Sequence, residues 1–346
     1  MNPRDRFLAA CRKENVDVTP IWFMRQAGRY LSGYKEVRSK YSVIEICKTP
    51  RVCKEVTVMP VEELGVDAAV MFADIMLPLE GIGVKFEIEE NLGPVIKNPI
   101  SSFGDAERLL QFDAKKDVPY VIEVIHELKK SLNSKTALIG FSGAPFTIAS
   151  YLIEGKPSRD FTKTKSLMFN DKSTWVSLME KLTITVSDYL DAQISAGVDV
   201  VQLFDSWVGA LSNSDYEDYV LPYVAKIFKR IEHDHPDVPT IHFGTNTSHL
   251  IQSMKKAGGS VLSIDWRTPI AYARSLLGKS TGIQGNLEPA VLLSRDRDGF
   301  IKRRVQMVLD DNRGQLGHIF NLGHGILRET PVENAKFVVD YVHQNS

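Results

Sequence analysis

Eight short runs of apolar and β-branched residues, each closed by turn-forming residues, constrain the fold of this chain more than any other feature. They lie at Pro20 to Met24, Ala68 to Phe72, Ala137 to Phe141, Val200 to Phe204, Thr240 to Phe243, Val261 to Ile264, Thr281 to Gln284 and His318 to Asn321. The intervals read as amphipathic helices. Ile122, Ile125, Leu128 and Leu132 recur at helical spacing, as do Leu178, Leu182, Val186, Tyr189 and Ala192. Several runs lack the alternation of a half-exposed strand, as expected where both faces of a parallel sheet are covered. Eight strands alternating with helices predict an α/β fold: a single (β/α)8 (TIM-type) barrel, one domain over residues 1–346. The competing open, doubly wound sheet usually carries Gly-x-Gly-x-x-Gly after its first strand. Here Gly81-Ile82-Gly83 begins that pattern without completing it. The Val-, Ile- and Gly-rich stretch Gly81 to Pro99 predicts instead a short β-rich insertion after strand two. The polar, charged stretch Glu154 to Thr174 predicts a loop or lid.

Composition narrows the partners. With 42 Lys and Arg against 43 Asp and Glu, the net charge of −1 argues against bulk nucleic acid or an anionic membrane as a general electrostatic partner. Cys11, Cys47 and Cys53 form no Cys-x-x-Cys pair, which predicts buried thiols in a reducing compartment rather than disulfides or a zinc knuckle. The N-terminal Met-Asn-Pro-Arg-Asp-Arg precedes no long apolar run, and no stretch approaches the ~18 residues of a membrane span. A cytoplasmic location is expected.

Active sites of such barrels gather at the C-terminal ends of the strands. At those ends stand Arg25-Gln26-Ala27-Gly28-Arg29, Asp74, Ser142-Gly143-Ala144-Pro145, Asp205-Ser206-Trp207, Gly244, Asp265, Gly285-Asn286 and Gly323-His324-Gly325. With Arg38, three guanidiniums lie in one strand-to-loop segment, which favours a ligand bearing several carboxylates or phosphates. The chain has no Gly-x-x-x-x-Gly-Lys-Ser/Thr loop, which disfavours phosphate. Each residue also has an ordinary alternative. The arginines serve equally as surface ion-pair partners, Asp74 as a cap for the next helix, His324 as a hydrogen-bonded structural histidine, Tyr151 as a core aromatic and Ser206 as an N-cap.

Reaction classes can be thinned. Gly140-x-Ser142 resembles a nucleophile elbow, but Ala144 stands where its last glycine belongs. His242-Phe243-Gly244 lacks the cysteine of a His-x-Cys zinc site, which disfavours a thiol-activating barrel methyltransferase, and no His-Glu-x-x-His helix is present. Several arginines and one aspartate, without nucleophile or metal, suit a reaction whose substrate supplies its own electron sink.

The motifs then carry a resemblance. Trp22-Phe-Met-Arg-Gln-Ala-Gly-Arg-Tyr-Leu31 resembles the N-terminal signature of the uroporphyrinogen decarboxylase family, and Gly140-Phe-Ser-Gly-Ala-Pro-Phe-Thr147 with Tyr151 and Glu154-Gly155 resembles its second. Asp74 in Phe-Ala-Asp-Ile, Phe204-Asp-Ser-Trp-Val-Gly209, Gly285-Asn-Leu-Glu-Pro289 and Asn321-Leu-Gly-His-Gly325 match in order. The resemblance implies a barrel enzyme of porphyrin (haem) biosynthesis, usually a cytoplasmic homodimer, that removes four acetate carboxylates of a tetrapyrrole without cofactor or metal. By it, Arg25, Arg29 and Arg38 grip substrate carboxylates and the Gln26-Ala27-Gly28 backbone shapes the pocket. Asp74 accepts from pyrrole N–H groups and stabilises the protonated intermediate, Tyr151, Ser206 and His324 touch substrate side chains, and Arg25 is one candidate proton donor, with the donor's identity left open. Three departures stand out: Ser32 and Arg328 where the family commonly has proline, and Thr245-Asn246-Thr247 in place of a more Gly-rich stretch. A cobalamin-related methyltransferase and a non-catalytic tetrapyrrole-binding protein are the alternatives.

Overall fold

The computed structural model describes residues 1–89 and 93–346. Seven parallel strands follow one another in chain order around a curled sheet. They are β1 (Ala68–Val70), β4 (Ala137–Gly143), β5 (Val200–Asp205), β6 (Thr240–Gly244), β7 (Val261–Ser263), β8 (Gly282–Gln284) and β9 (His318–Ile319). Each falls within or overlaps one of the expected runs. The eighth, residues 20–24, is no regular strand but closes the barrel between β9 and β1. Ile21 bridges Phe320, the Phe320 N–H donates to the Pro20 carbonyl at 2.8 Å, and the Asp67 N–H donates to the Ile21 carbonyl at 2.8 Å.

Side chains complete that closure where the ladder gives out. The Asp67 carboxylate accepts from the Ile21 N–H at 2.8 Å and Asn321 Oδ1 from the Met24 N–H at 3.1 Å. Pro20 has no N–H to offer, and Arg25 turns the chain away at φ +62°, which ends strand pairing. Inside the barrel, Trp22 Nε1 donates to Gln284 Oε1 at 2.9 Å, and Gln284 Nε2 donates to Gln202 Oε1 at 3.0 Å and Ser263 Oγ at 3.1 Å. This buried polar layer, fully hydrogen-bonded at Gln284, ties four strands into one floor.

The insertion after the second barrel strand is the antiparallel hairpin β2 (Phe86–Glu89) and β3 (Gly93–Ile96), with Phe86 opposite Ile96 and Glu89 opposite Gly93. The stretch expected as a loop or lid is mostly helical. Glu154 ends the helix Pro145–Glu154, and Thr162–Asn170 is a helix of its own. Asp171 then caps the long helix Lys172–Ala196 by accepting from the Thr174 N–H at 3.0 Å. Polar composition misled here because the polar groups are satisfied internally: buried Glu154 accepts from both the N–H (2.9 Å) and hydroxyl (3.0 Å) of Thr164.

The helices around the barrel use the periodicity read from the sequence. Pro119–Ser131 buries Val121, Val124, Ile125 and Leu128, with Leu132 as its C-cap residue. From Lys172–Ala196, Gln193 reaches β4, accepting from the Phe141 N–H at 2.8 Å and donating to its carbonyl at 2.9 Å. That approach requires Gly140, because a Cβ there would meet Gln193 Oε1 at 2.5 Å. The three cysteines are free and buried, as expected of core thiols. Among the described residues no helix is long and apolar enough to cross a membrane.

Candidate active site

A cavity of about 1050 Å³ opens at the C-terminal rim of the barrel. Arg25, Ala27, Gly28, Arg29, Arg38, Asp74, Tyr151, Ser206 and His324 all line it, so nine of the ten residues singled out converge on one space. Gln26 does not line it. Its side chain is buried under the loop, accepting from the Phe23 N–H at 3.1 Å and donating to the Ala68 carbonyl at 2.9 Å. Gln26 therefore props the turn that presents Arg25.

Arg25 sits in the left-handed region, a conformation that costs a residue with a side chain of order 1–3 kcal/mol unless the surroundings enforce it. The surroundings are Gln26 beneath, the Ile326 N–H donating to the Met24 carbonyl at 2.9 Å, and Gly325 alongside. A Cβ on Gly325 would lie 2.5 Å from Arg25 Cδ, so the glycine after His324 makes room for the arginine stem. This pairing joins the two ends of the sequence at the site.

Arg38 projects from the helix Ser32–Lys40, with Nη1 donating to the Tyr41 carbonyl. Ser32 is the first residue of that helix, the position where proline is best tolerated, so serine keeps the same helix start. After β6, Asn246 adopts φ +55°, a conformation asparagine accepts more readily than most residues, which preserves the backbone a glycine would give. Its N–H donates to Asp265 Oδ2 at 2.6 Å, and the Thr245 hydroxyl donates to the Ser206 carbonyl.

Asp74 Oδ1 accepts from the Met76 N–H at 2.9 Å, an Asx turn that fixes the carboxylate while its other edge borders the cavity. Burial raises its pKa above the ordinary aspartate value; the Met76 N–H and the nearby Arg25 charge offset this only in part. Burial first, then the Arg25 charge, pushes the His324 imidazole down to about 4, so it is neutral near pH 7. Burial and the Asp74 charge raise the Tyr151 phenol. Tyr151 lies against Trp207, ring centres 4.2 Å apart, and Trp207 against Phe161 at 4.9 Å. Ser206 is not an N-cap: Ser212 caps the helix Asn213–Tyr219.

Residues outside the expected set complete the wall. Trp207, Phe141, Phe204 and Phe243 supply aromatic surface, and hairpin residues Phe86 to Glu89 border the opening. Trp207 was legible only as part of Phe204-Asp-Ser-Trp; its rim position is the signal that could have promoted it. His242 faces the other way. It is buried on the helix side of β6 against Phe228, with Nε2 3.8 Å from Asp205 Oδ2, and neither residue lines the cavity.

The fold and site define a (β/α)8-barrel protein with an arginine-rich, aromatic-walled cleft that Asp74 enters from a strand end. The model of the family "Uroporphyrinogen decarboxylase (URO-D)" matches residues 2–345, so the chain belongs to that family. It is 50% identical over 339 residues to a uroporphyrinogen decarboxylase of Sorangium cellulosum, covering 98% of this chain and 96% of that one. It is likewise 50% identical over 340 residues to a Thermus thermophilus enzyme of that name, covering 98% of both. Among solved structures, a methyltransferase from Methanosarcina mazei superposes with a TM-score of 0.80 over 99% of both chains at 20% identity, a likeness of fold alone.

Proposed function

We propose that the chain removes the four acetate carboxylates of uroporphyrinogen III as CO2, giving coproporphyrinogen III, without a cofactor or metal. The observation that carries this reading is the Asp74 carboxylate at a barrel strand end, near Arg25, in a cavity lined by further arginines and aromatic rings. Its volume suits a macrocycle at the upper end of small-molecule sites.

Chemistry follows from that arrangement. Protonation of the pyrrole α-carbon gives an iminium-like cation. The C–C bond to the carboxylate breaks, its electron pair passes into the ring and neutralises the nitrogen, and CO2 leaves an exocyclic methylene. A second protonation at that methylene and loss of the α-proton restore the pyrrole with a methyl group. Asp74 accepts hydrogen bonds from pyrrole N–H groups and stabilises the cation, a fixed charge aimed where positive charge develops. Arg25, Arg29 and Arg38 hold substrate carboxylates, and Arg25 is one candidate for delivering the proton, although a guanidinium releases one reluctantly. Ala27 and Gly28 offer backbone surface, with Gln26 holding them from below. Tyr151, Ser206 and neutral His324 contact the substituents. The whole chain acts as one catalytic domain, in the cytoplasm, as a homodimer.

The test is anaerobic incubation of metal-free protein with uroporphyrinogen, counting product carboxylates by mass. Loss of four CO2 is expected; an unchanged octacarboxylate overturns the reading. Asp74→Asn should lower kcat at least 100-fold while substrate still binds, a loss of about 2.7 kcal/mol in transition-state stabilisation typical of a removed electrostatic group. Unchanged turnover would refute the role of Asp74, and lost binding would favour a purely structural one.

A further inference from the structure

We propose that Arg328 is a further substrate-binding residue, taking one of the propionate carboxylates that the macrocycle keeps through all four decarboxylations. The inference deepens the decarboxylase reading and rests on it.

Arg328 lies four residues beyond His324 on the same loop, and Ile326, Leu327 and Arg328 all border the cavity. The loop is not free to swing away. The Ile326 N–H donates to the Met24 carbonyl at 2.9 Å, next to Arg25, and the Thr330 N–H donates to the Leu327 carbonyl at 3.2 Å. Arg328 is exposed at the opening, whereas His324 is half-buried. Among the described residues no hydrogen bond or ion pair occupies its guanidinium. Of the three glutamates bordering the cavity, Glu80 is matched by Lys48 and Glu87 by Lys97, and among the described residues Glu89 makes no ion pair with Arg328. An arginine held at the mouth with its fork unspent is suited to a planar anion arriving from solvent.

The substrate offers two kinds of carboxylate. The acetate undergoing cleavage must lie beside Asp74 and Arg25, inside the cavity. A propionate is longer by one methylene and is never consumed, so a cation at the mouth meets it in the substrate, in every intermediate and in the product alike.

The test compares Arg328→Gln and Arg328→Lys with the unaltered protein in anaerobic steady-state assays at low and high ionic strength. Arg328→Gln should raise KM for uroporphyrinogen roughly two- to five-fold at low salt, the range of an exposed ion pair, with kcat unchanged within two-fold. High salt should shrink the difference and lysine should restore most of it. Inhibition by coproporphyrinogen, which retains only propionates, should weaken by the same factor. An unchanged KM overturns the proposal, as does a raised KM with unaltered product inhibition, because the group held would then be an acetate. Failure of the unaltered protein to release CO2 overturns the decarboxylase reading and this inference with it.

Discussion

At the scale of single residues, the cleft works by withholding water from ionisable groups. His324 is the clearest case, because burial and the Arg25 charge act in the same direction and bring its pKa from 6.5 to about 4. The native state therefore binds fewer protons than the unfolded chain between these two values. Stability is lost as pH falls through 6.5 and the loss levels off below about 4. Between pH 7 and 5 the loss reaches about 2 kcal/mol, an upper figure because the imidazole is only partly buried. Thermal melts across that range should show the slope, and His324→Gln should reduce it by the His324 share. A slope untouched by the substitution would mean that the imidazole is protonated in the folded site. Buried His318, also lowered to about 4 and hydrogen-bonded to the Gly285 carbonyl, supplies slope of the same sign that survives the substitution. Asp74 and Asp205 are raised instead, so their cost appears as pH rises above 3.8 and runs the opposite way.

At the scale of elements, the rim is aimed by contacts behind it. Gln193 holds both the N–H and the carbonyl of Phe141, and Phe141 lines the cavity from β4. Gln193→Ala would strand two buried backbone groups and open a void beside Gly140. We expect a loss of about 2–4 kcal/mol in urea unfolding at an unchanged m-value. A loss under ~1 kcal/mol would show that water or a shifted strand replaces the amide. The amphipathic helices and most strands were legible because their periodicity is local. Glu154 to Thr174 was not, because its helix is held by one buried carboxylate ten residues away from its partner Thr164. The hairpin Phe86–Glu89 with Gly93–Ile96 was legible as β structure, but only its packing placed it along the opening of the cleft.

At the scale of the whole molecule, closure of the barrel rests on Asp67. Its buried carboxylate accepts from Arg6 Nη1 at 2.7 Å, the Ile21 N–H at 2.8 Å and His343 Nε2 at 2.8 Å. One side chain thereby joins the N-terminal helix, the irregular first strand and the C-terminal helix Val332–Asn345. Asp67→Ala would leave the buried Ile21 N–H without its acceptor and Arg6 paired with Asp17 alone, and should cost about 1–3 kcal/mol. A denaturant midpoint near that of the unaltered protein would sink this account. Turnover should fall with the folded fraction, since Asp67 does not line the cleft.

The division between sequence and tertiary structure follows from distance along the chain. Strand runs, helix faces and the residues at strand ends are short-range patterns, and barrel topology turns a strand end into a rim position, so Arg25, Asp74, Ser206 and His324 could be placed from sequence alone. What sequence left open depended on partners far away in the chain. Met24 and Asn321 meet across 297 positions, Gly325 gives way to Arg25, and Gln26 turns inward toward Ala68 rather than into the cavity. The position of Arg328 on the cavity wall belongs to the same class. Local pattern fixes which way a segment is built; only close packing decides which side chain of that segment faces the ligand, because that choice depends on the atoms already occupying the other side.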